Sequence, residues 1–503
     1  MKSPDAEDYC VAVIGAGAMG QGIAQVSAMG GMRVILFDKR EGGAEAARET
    51  ICGRLDRLVE KGRQTAEEAE AQKRLLQAAA SLDDIAPADT VVEAVFEDLD
   101  VKHQVFKEIE AVVRPDCIVA SNTSSIPISS IARACEHRTR VAGLHFFNPV
   151  PLMRLVEVIV ASETEDRVVA HLTALGKRMG RTPVTVKDAT GFLVNLGGRA
   201  YTTEGLRMAH EGVATPAQID AILRDGCAFR MGPFELMDLT GVDVNFPVSL
   251  IVYDGYMQDP RIKTSPYHKA LFDAGRYGRK TGRGNFDYDD KGNMIDPPSP
   301  DHETDAEPAD QVTLAEPDER LAAFCHEVGL TLAADDAPDR PILTAPFGED
   351  CTHVAVRTGA DFRRLVAVDL SYDWSKRVTL MTAPGADPSV RDRVAARIAA
   401  AGPKVTAIAD SPGFVAQRMR AMVGNLGCYI AEVGLAEPAD IDLGLKLGLN
   451  YPLGPLEIVD TLGPRTTLAI MEHLQAITGE DRYRPSLWLK RRALLDLPIH
   501  TPA

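Results

Sequence analysis

Three separated segments of this chain recur farther along it in one register, and this restricts its architecture more than any other feature. Asp188-Ala189-Thr190-Gly191-Phe192 returns as Asp410-Ser411-Pro412-Gly413-Phe414. Gly232-Pro233-Phe234-Glu235-Leu236-Met237-Asp238 returns as Gly454-Pro455-Leu456-Glu457-Ile458-Val459-Asp460, and Ile219-Asp220 as Ile441-Asp442. Chance matches would not align without a gap, so the chain carries a duplicated domain. The repeated stretches are helical in pattern, with Gly and Pro punctuation.

Ahead of the first copy the pattern changes. Val11 to Ile14 is a short apolar run, Gln21 to Met29 has helical character, and Arg33 to Phe37 is a second run closed by Asp38. Together they read as β-α-β. The segment from Glu41 to Ala80 reads as a pair of inserted helices. Val91–Val95, Cys117–Ala120, Val141–Phe147, Leu155–Val160 and Val184–Val186 read as further strands. Strands alternating with helices imply a parallel, doubly wound sheet.

The expected fold is therefore α/β. A Rossmann-type sheet (8–187) precedes an all-α domain (188–289) and a linker rich in Asp, Pro and Glu (290–318). A degenerate α/β remnant (319–409) and a second copy of the α domain (410–503) follow. A chain of 503 residues has room for several such units.

Gly15-Ala16-Gly17-Ala18-Met19-Gly20 joins the first strand to the first helix. Gly15 permits the tight turn, Gly17 admits a pyrophosphate to the backbone, and Gly20 lets helix and sheet pack closely. The diphosphate then meets free N–H groups at the helix N-terminus. Asp38 lies at the distance expected of an acid that binds the adenosine 2′-hydroxyl and repels a 2′-phosphate. NAD is favoured over NADP, although Lys39 and Arg40 follow directly.

The net charge of -17 argues against a broad nucleic-acid surface. No apolar run approaches the ~20 residues that span a bilayer, and the acidic N-terminus has no signal-peptide core. The expectation is a cytoplasmic protein with no membrane partner. The eight cysteines are scattered, so neither a metal site nor a disulfide framework is expected.

The richest segment runs from Arg140 to Val158. A strand ends near His145, Pro149 and Pro151 break it, and the run Leu155–Val160 returns. This brings Glu157 towards His145. Glu157 sits within an apolar run, so its carboxylate needs a buried partner. An imidazole serves, and the acid then fixes its tautomer and stabilises the imidazolium. The same pair also suits a purely structural hydrogen bond. Ser124, in Ser121-Asn122-Thr123-Ser124-Ser125, follows a strand at the ligand-binding edge of the sheet, and Asn195 opens the helical domain. The repeat register lays His145 over Ala367, Asn148 over Leu370, Glu157 over Thr379 and Asn195 over Gln417. The second copy lacks these groups and the glycine motif.

His145 to Val158, Ser121 to Ser125, Lys187 to Asn195, Met231 to Asp238 and Gly278 to Gly284 resemble, in order, the motifs of the L-3-hydroxyacyl-CoA dehydrogenases. The resemblance implies oxidation of an L-3-hydroxyacyl-CoA to the 3-ketoacyl-CoA with NAD. It implies His145 as general base and Glu157 as its orienting acid. Ser124 and Asn195 would bond the reacting oxygen and the thioester region, and Asn148 would hold the nicotinamide end. Glu97, Lys102 and Lys280 match NAD contacts, and Lys61 matches a CoA-phosphate contact. Thr190 and Leu196 depart from the family's usual Pro and basic residue.

The two-copy form resembles bacterial enzymes of aromatic-acid catabolism acting on 3-hydroxyadipyl-CoA, and also 3-hydroxybutyryl-CoA dehydrogenases of fatty acid β-oxidation. In shorter members the helical domain forms the dimer interface. Here the second copy is expected to pack on the first as an intrachain pseudo-dimer, with homo-oligomers possible. The rival readings are a free 3-hydroxyacid dehydrogenase, which would use a lysine, and a non-catalytic NAD-binding protein.

Overall fold

The computed structural model describes residues 1–502. It divides into two units: Met1–Leu196 with Val433–Leu449, and Gly197–Glu432 with the residues from Asn450 onward. No single helix among the described residues is long and apolar enough to cross a membrane.

The first unit is built on eight strands: β1 (Cys10–Ile14), β2 (Arg33–Phe37), β3 (Leu76–Ala78), β4 (Thr90–Glu93), β5 (Ile118–Ser121), β6 (Val141–Phe146), β7 (Leu155–Val160) and β8 (Thr182–Lys187). Their order is β3-β2-β1-β4-β5-β6-β7-β8. All pairings are parallel except β6 with β7. The chain winds outward from β1 to β3, then returns to the other side of β1 as β4. The carboxyl ends of β1 and β4 therefore flank a topological switch point, the Rossmann arrangement. Helices cover both faces, which explains the near-continuous apolar strands: Val11, Val13, Val34, Leu36 and Val92 are fully buried.

The Glu41–Ala80 segment holds the helices Gly43–Glu60 and Ala66–Leu75, but it ends in β3. Three residues are too short for a strand period to show. Pairing with β2 makes this a strand.

The second unit carries a smaller sheet: β9 (Gln311–Leu314), β10 (Thr331–Leu332), β11 (Ile342–Thr344), β12 (Leu365–Val368), β13 (Arg377–Met381) and β14 (Lys404–Ile408), in the order β10-β9-β11-β12-β13-β14. The repeat register lays β11 to β14 over β5 to β8, including the antiparallel step from β12 to β13. This is the α/β remnant, with its own core of Val312, Leu343, Val366, Val378 and Val394. β9 falls inside the stretch that composition marks as linker. Gln311-Val312-Thr313-Leu314 alternates, and Val312 is buried, so pairing with β11 outweighs the loop-like flanks.

Each sheet also receives a helix from the opposite copy. In the first unit the Pro438–Leu449 helix lies on β7 and β8, where Thr185 N donates to Asp440 Oδ2 at 3.0 Å and Lys187 N to Leu435 O at 2.8 Å. In the second unit the Pro216–Asp225 helix lies beside β13 and β14, where Gln218 Nε2 donates to Ala407 O at 3.2 Å and Ala409 N to Val213 O at 2.9 Å. The register matches these two pairs of bonds one to one. Within the second unit the Arg199–His210 helix packs on Ala416–Glu432, so helices of the two copies join in one chain. Gly205 lets the Pro233–Thr240 helix of the first copy pack closely on Arg199–His210: a Cβ would stand 2.7 Å from Pro233 Cγ.

His268, in the Pro266–Asp273 helix, gives this unit a pH dependence. Its Nδ1 bonds Thr264 Oγ1 at 2.9 Å, and its buried Nε2 has no partner. Burial, then the nearby Arg199 charge, lowers its pKa to about 4. The ring stays neutral in the fold while the unfolded chain takes up a proton. Its contribution is present above the ordinary value of 6.5 and is lost as pH falls from there towards 4. The loss is about 1.4 kcal/mol per pH unit for this one group. Urea midpoints at pH 7 and pH 5 should therefore differ less in His268→Phe than in the parent. An equal difference would refute the assignment.

Candidate active site

The glycine turn follows β1 and opens the Ala18–Met29 helix. Gly15 takes φ +104, and a Cβ there would come within 2.5 Å of Ala94 O. A Cβ on Gly20 would reach 1.8 Å from Gly15 O, so this glycine is needed for the fold itself. Gly17 differs: nothing lies within 4 Å of the place its Cβ would take. No side chain caps the helix, so the N–H groups of its first turn, at Ala18 and Met19, are left without a side-chain acceptor at the cap. An uncapped N-terminus behind an unfilled glycine fits a diphosphate.

A crevice of about 650 Å3 extends from this turn, lined by Gly15, Gly17, Asp38, Val95, Phe96 and Val101 among others. Asp38 Oδ2 accepts from Ala16 N at 2.7 Å, and its Oδ1 pairs with Arg40 Nε at 3.0 Å. Burial works to raise the Asp38 pKa, but the Arg40 side chain and the Arg40 and Ala16 amides outweigh it and hold the carboxyl below its ordinary value. Arg40 is thus drawn onto the acid that would select a 2′-hydroxyl.

The antiparallel hairpin sets the next pair. β6 and β7 place His145 directly opposite Glu157, and residues opposed in a ladder share a face. His145 Nδ1 lies 2.6 Å from Glu157 Oε2. Glu157 is fully buried and His145 is 5% exposed. Glu157 Oε1 accepts from Leu193 N at 3.1 Å and Val194 N at 3.0 Å. Those amides are presented by a turn in which Phe192 takes φ +49, a left-handed conformation costing about 1–2 kcal/mol. Phe414, its repeat partner, takes φ +51 although Thr379 replaces Glu157, so the turn belongs to the entry of the helical domain. The Phe147 and Phe192 rings stand 4.5 and 5.8 Å from the imidazole. The contact to Glu157 uses Nδ1, and no hydrogen bond joins Nε2 to another of the described residues.

Asn195 Nδ2 donates to Ser124 O at 3.1 Å, joining the helical entry to the loop after β5. Glu97 organises that loop. Its Oε1 accepts from Thr123 Oγ1 at 2.6 Å, Ser124 N at 3.1 Å, Ser125 N at 3.2 Å and Ser125 Oγ at 3.0 Å. Burial opposes ionisation of Glu97, but Thr123, Lys102 and Ser125 hold its pKa down. The Lys102 ammonium is 1% exposed, 2.8 Å from Glu93 and 3.2 Å from Glu97. It stands behind the loop, tied to two carboxylates.

Asn148 is exposed beyond the hairpin strand. Lys61 is exposed at the end of the Gly43–Glu60 helix. Lys280 belongs to the second unit, where Nζ pairs with Asp243 at 2.5 Å.

Two residues escaped the sequence reading. Glu93 is fully buried and takes Ser121 Oγ at 2.6 Å as well as Lys102. Its position inside Val91-Val92-Glu93-Ala94-Val95 carries the signal that singled out Glu157: an acid in an apolar strand. Asn122 Oδ1 accepts from Phe146 N at 2.8 Å and ties the loop to the histidine strand. No group of metal-ligating side chains occurs among the described residues.

Comparison with known proteins agrees with this arrangement. Residues 10–189 match the NAD binding domain of 3-hydroxyacyl-CoA dehydrogenase. Residues 191–288 and 413–497 each match the C-terminal domain of the same family. The chain is 37% identical over 489 residues to 3-hydroxyadipyl-CoA dehydrogenase of Escherichia coli K12, covering 97% of this chain and 98% of that protein. It is 38% identical to the mitochondrial hydroxyacyl-coenzyme A dehydrogenase of Sus scrofa, over 55% of this chain and 90% of the relative. A crystal structure of 3-hydroxybutyryl-CoA dehydrogenase from E. coli K12 superimposes with a TM-score of 0.86 at 36% identity, covering 97% of this chain and 98% of that one. The cofactor named for the matched domain is NAD, in accord with the glycine turn and Asp38. The duplicated register, the nucleotide turn and both domain matches lead to one conclusion: this chain is an enzyme of the 3-hydroxyacyl-CoA dehydrogenase family.

Proposed function

We propose that this chain oxidises the 3-hydroxyl of an L-3-hydroxyacyl-CoA, with His145 as the general base. The observation that carries the reading is the 2.6 Å contact between His145 Nδ1 and Glu157, which leaves Nε2 available to a substrate hydroxyl. His145 Nε2 takes the hydroxyl proton. Glu157, held by two backbone amides, stabilises the imidazolium that results. Ser124 and Asn195 orient the reacting oxygen and the thioester, and Glu97 keeps their loop in place from behind. Bound NAD supplies the hydride acceptor. The Gly17 turn and Asp38 hold its diphosphate and adenosine ribose, and Asn148 closes its nicotinamide end. Lys102 acts through Glu97 by neutralising the buried acids.

The curated protein and the solved structure that match along the whole chain, both from E. coli K12, carry names for different acyl groups, one with a distal carboxylate and one without. The deciding assay follows NADH absorbance with acetoacetyl-CoA and with 3-hydroxyacyl-CoA esters of both kinds. Turnover of at least one ester is expected, and the ratio between them assigns the acyl class. NADH binding without turnover of any ester would overturn the proposal and favour a non-catalytic reading.

Asp38→Ala tests the ribose contact. Loss of a hydrogen bond to a charged group costs about 1.5–3 kcal/mol, roughly 10- to 100-fold in Kd for NAD. Arg40 is released at the same time, so preference for NAD over NADP should narrow. An unchanged NADH affinity by fluorescence titration would exclude this role.

A further inference from the structure

The second copy has lost the groups aligned with the catalytic pair, and Ala367 and Thr379, which stand in their places, are fully buried. β12 ends at Val368, and the register lays residues 369–373 over 147–151, which follow the histidine strand. Here a cavity of about 350 Å3 opens within the second unit. Phe229, Tyr372, Pro452, Leu453 and Ile458 make its wall largely apolar. Gly226 lets the Tyr372 ring pack against the backbone of this wall: a Cβ there would stand 2.5 Å from the ring.

One cation stands in this wall. Arg420, on the Ala416–Glu432 helix, is only 8% exposed. The register puts Gly198 at its place in the first copy, so the charge is particular to the second. Nη1 donates to Ser371 O at 2.6 Å, and no ion pair to a carboxylate is formed by Arg420 among the described residues. Two acids are near. Asp369 is fully buried and accepts from Gln417 Nε2 and Ser371 N, each at 3.0 Å. Burial raises its pKa, which weakens it as a counter-ion. Asp373 is exposed and accepts from Ser375 N at 3.0 Å. A guanidinium has five N–H donors in a planar fork, and the one bond to Ser371 O engages only one of its two terminal nitrogens. A planar carboxylate matches such a fork with two parallel bonds, and Arg420 is the cation in the cavity wall.

We propose that this cavity is a binding site for a small monocarboxylic acid, its carboxylate on Arg420 and its short chain against Phe229, Leu453 and Ile458. The volume lies in the range of small-molecule sites, ~300–1,000 Å3, and one charged anchor in an apolar wall is their usual composition. The site is lined by residues of the second unit and does not depend on the reaction assigned above.

The test is isothermal titration of the full chain with hexanoate, and with hexanamide as the uncharged analogue. Saturable binding of hexanoate is expected, at least 10-fold weaker for hexanamide and at least 10-fold weaker in Arg420→Met. Leu453→Trp, which fills the cavity without touching the cation, should also abolish it and serves if Arg420→Met fails to fold. Absence of saturable hexanoate binding would overturn the proposal. So would equal binding of hexanamide, or undiminished binding in the folded variants. Inorganic phosphate binding in place of hexanoate, and dependent on Arg420, would refute the carboxylate assignment.

Discussion

His145→Gln should lower turnover by about 10²–10⁴-fold, the usual contribution of a positioned general base, while NADH binding stays within a few-fold of the parent. Gln retains much of the volume between the Phe147 and Phe192 rings and can still bond Glu157, so the hairpin should stand. What it lacks is a nitrogen that accepts a proton near neutral pH. Glu157→Gln should act on the same step by another route. It removes the charge that stabilises the imidazolium and no longer dictates which nitrogen carries the proton. The two groups act as one unit, so the double variant should be little worse than the more damaged single one. Turnover numbers from NADH absorbance and affinities from NADH fluorescence provide the check. If His145→Gln keeps more than about a tenth of the parent turnover, the base lies elsewhere.

The largest effect on stability is expected at Glu204. This carboxylate is fully buried in the second unit and comes from the first helical copy. Its partners come from the second: Arg418 Nε at 2.5 Å, Arg482 Nη2 at 2.9 Å and the Tyr483 hydroxyl at 2.8 Å. Burial opposes its charge, but the two guanidinium groups outweigh that and hold its pKa below the ordinary value. Glu204→Ala leaves the buried Arg482 without a carboxylate and Arg418 with Glu211 alone, at 2.8 Å. Removing one partner of a buried ion pair typically costs about 3–5 kcal/mol, because an uncompensated charge remains.

The repeat register gives this pair an asymmetry. Arg418 aligns with Leu196 and Glu204 with Leu426, so the pair exists once rather than twice. Pairing two first copies would bury Glu204 without its arginine, which favours association of unlike copies. Glu204→Leu combined with Arg418→Leu should therefore be less destabilised than the sum of the single variants. Denaturant midpoints give the answer, and strictly additive losses would show that the two residues do not interact.

Several parts of the site were legible in the sequence because they rest on local chemistry. The glycine spacing reports a strand-to-helix turn. Pro149 and Pro151 report a broken strand, and an acid in the apolar run of β7 reports a buried partner one hairpin away. The same signal stood at Glu93 and passed unread. Its partners Lys102 and Ser121 lie on different elements, and no turn nearby points to them. Glu97 was legible only as a family position. Its work, accepting four hydrogen bonds from the loop of Thr123 to Ser125, depends on a fold-back that no periodicity records.

By itself the sequence determined the doubly wound nucleotide sheet, the opposition of His145 and Glu157, and the duplication. Each follows from turn residues, strand alternation or a shared register, all carried by neighbours along the chain. Only the tertiary structure decided that each sheet takes a helix from the opposite copy, that β3 and β9 are strands, and that Arg420 is buried beside a cavity. Those outcomes depend on which apolar faces and backbone groups far apart in the chain satisfy one another, and burial and hydrogen bonding at that range leave no local pattern.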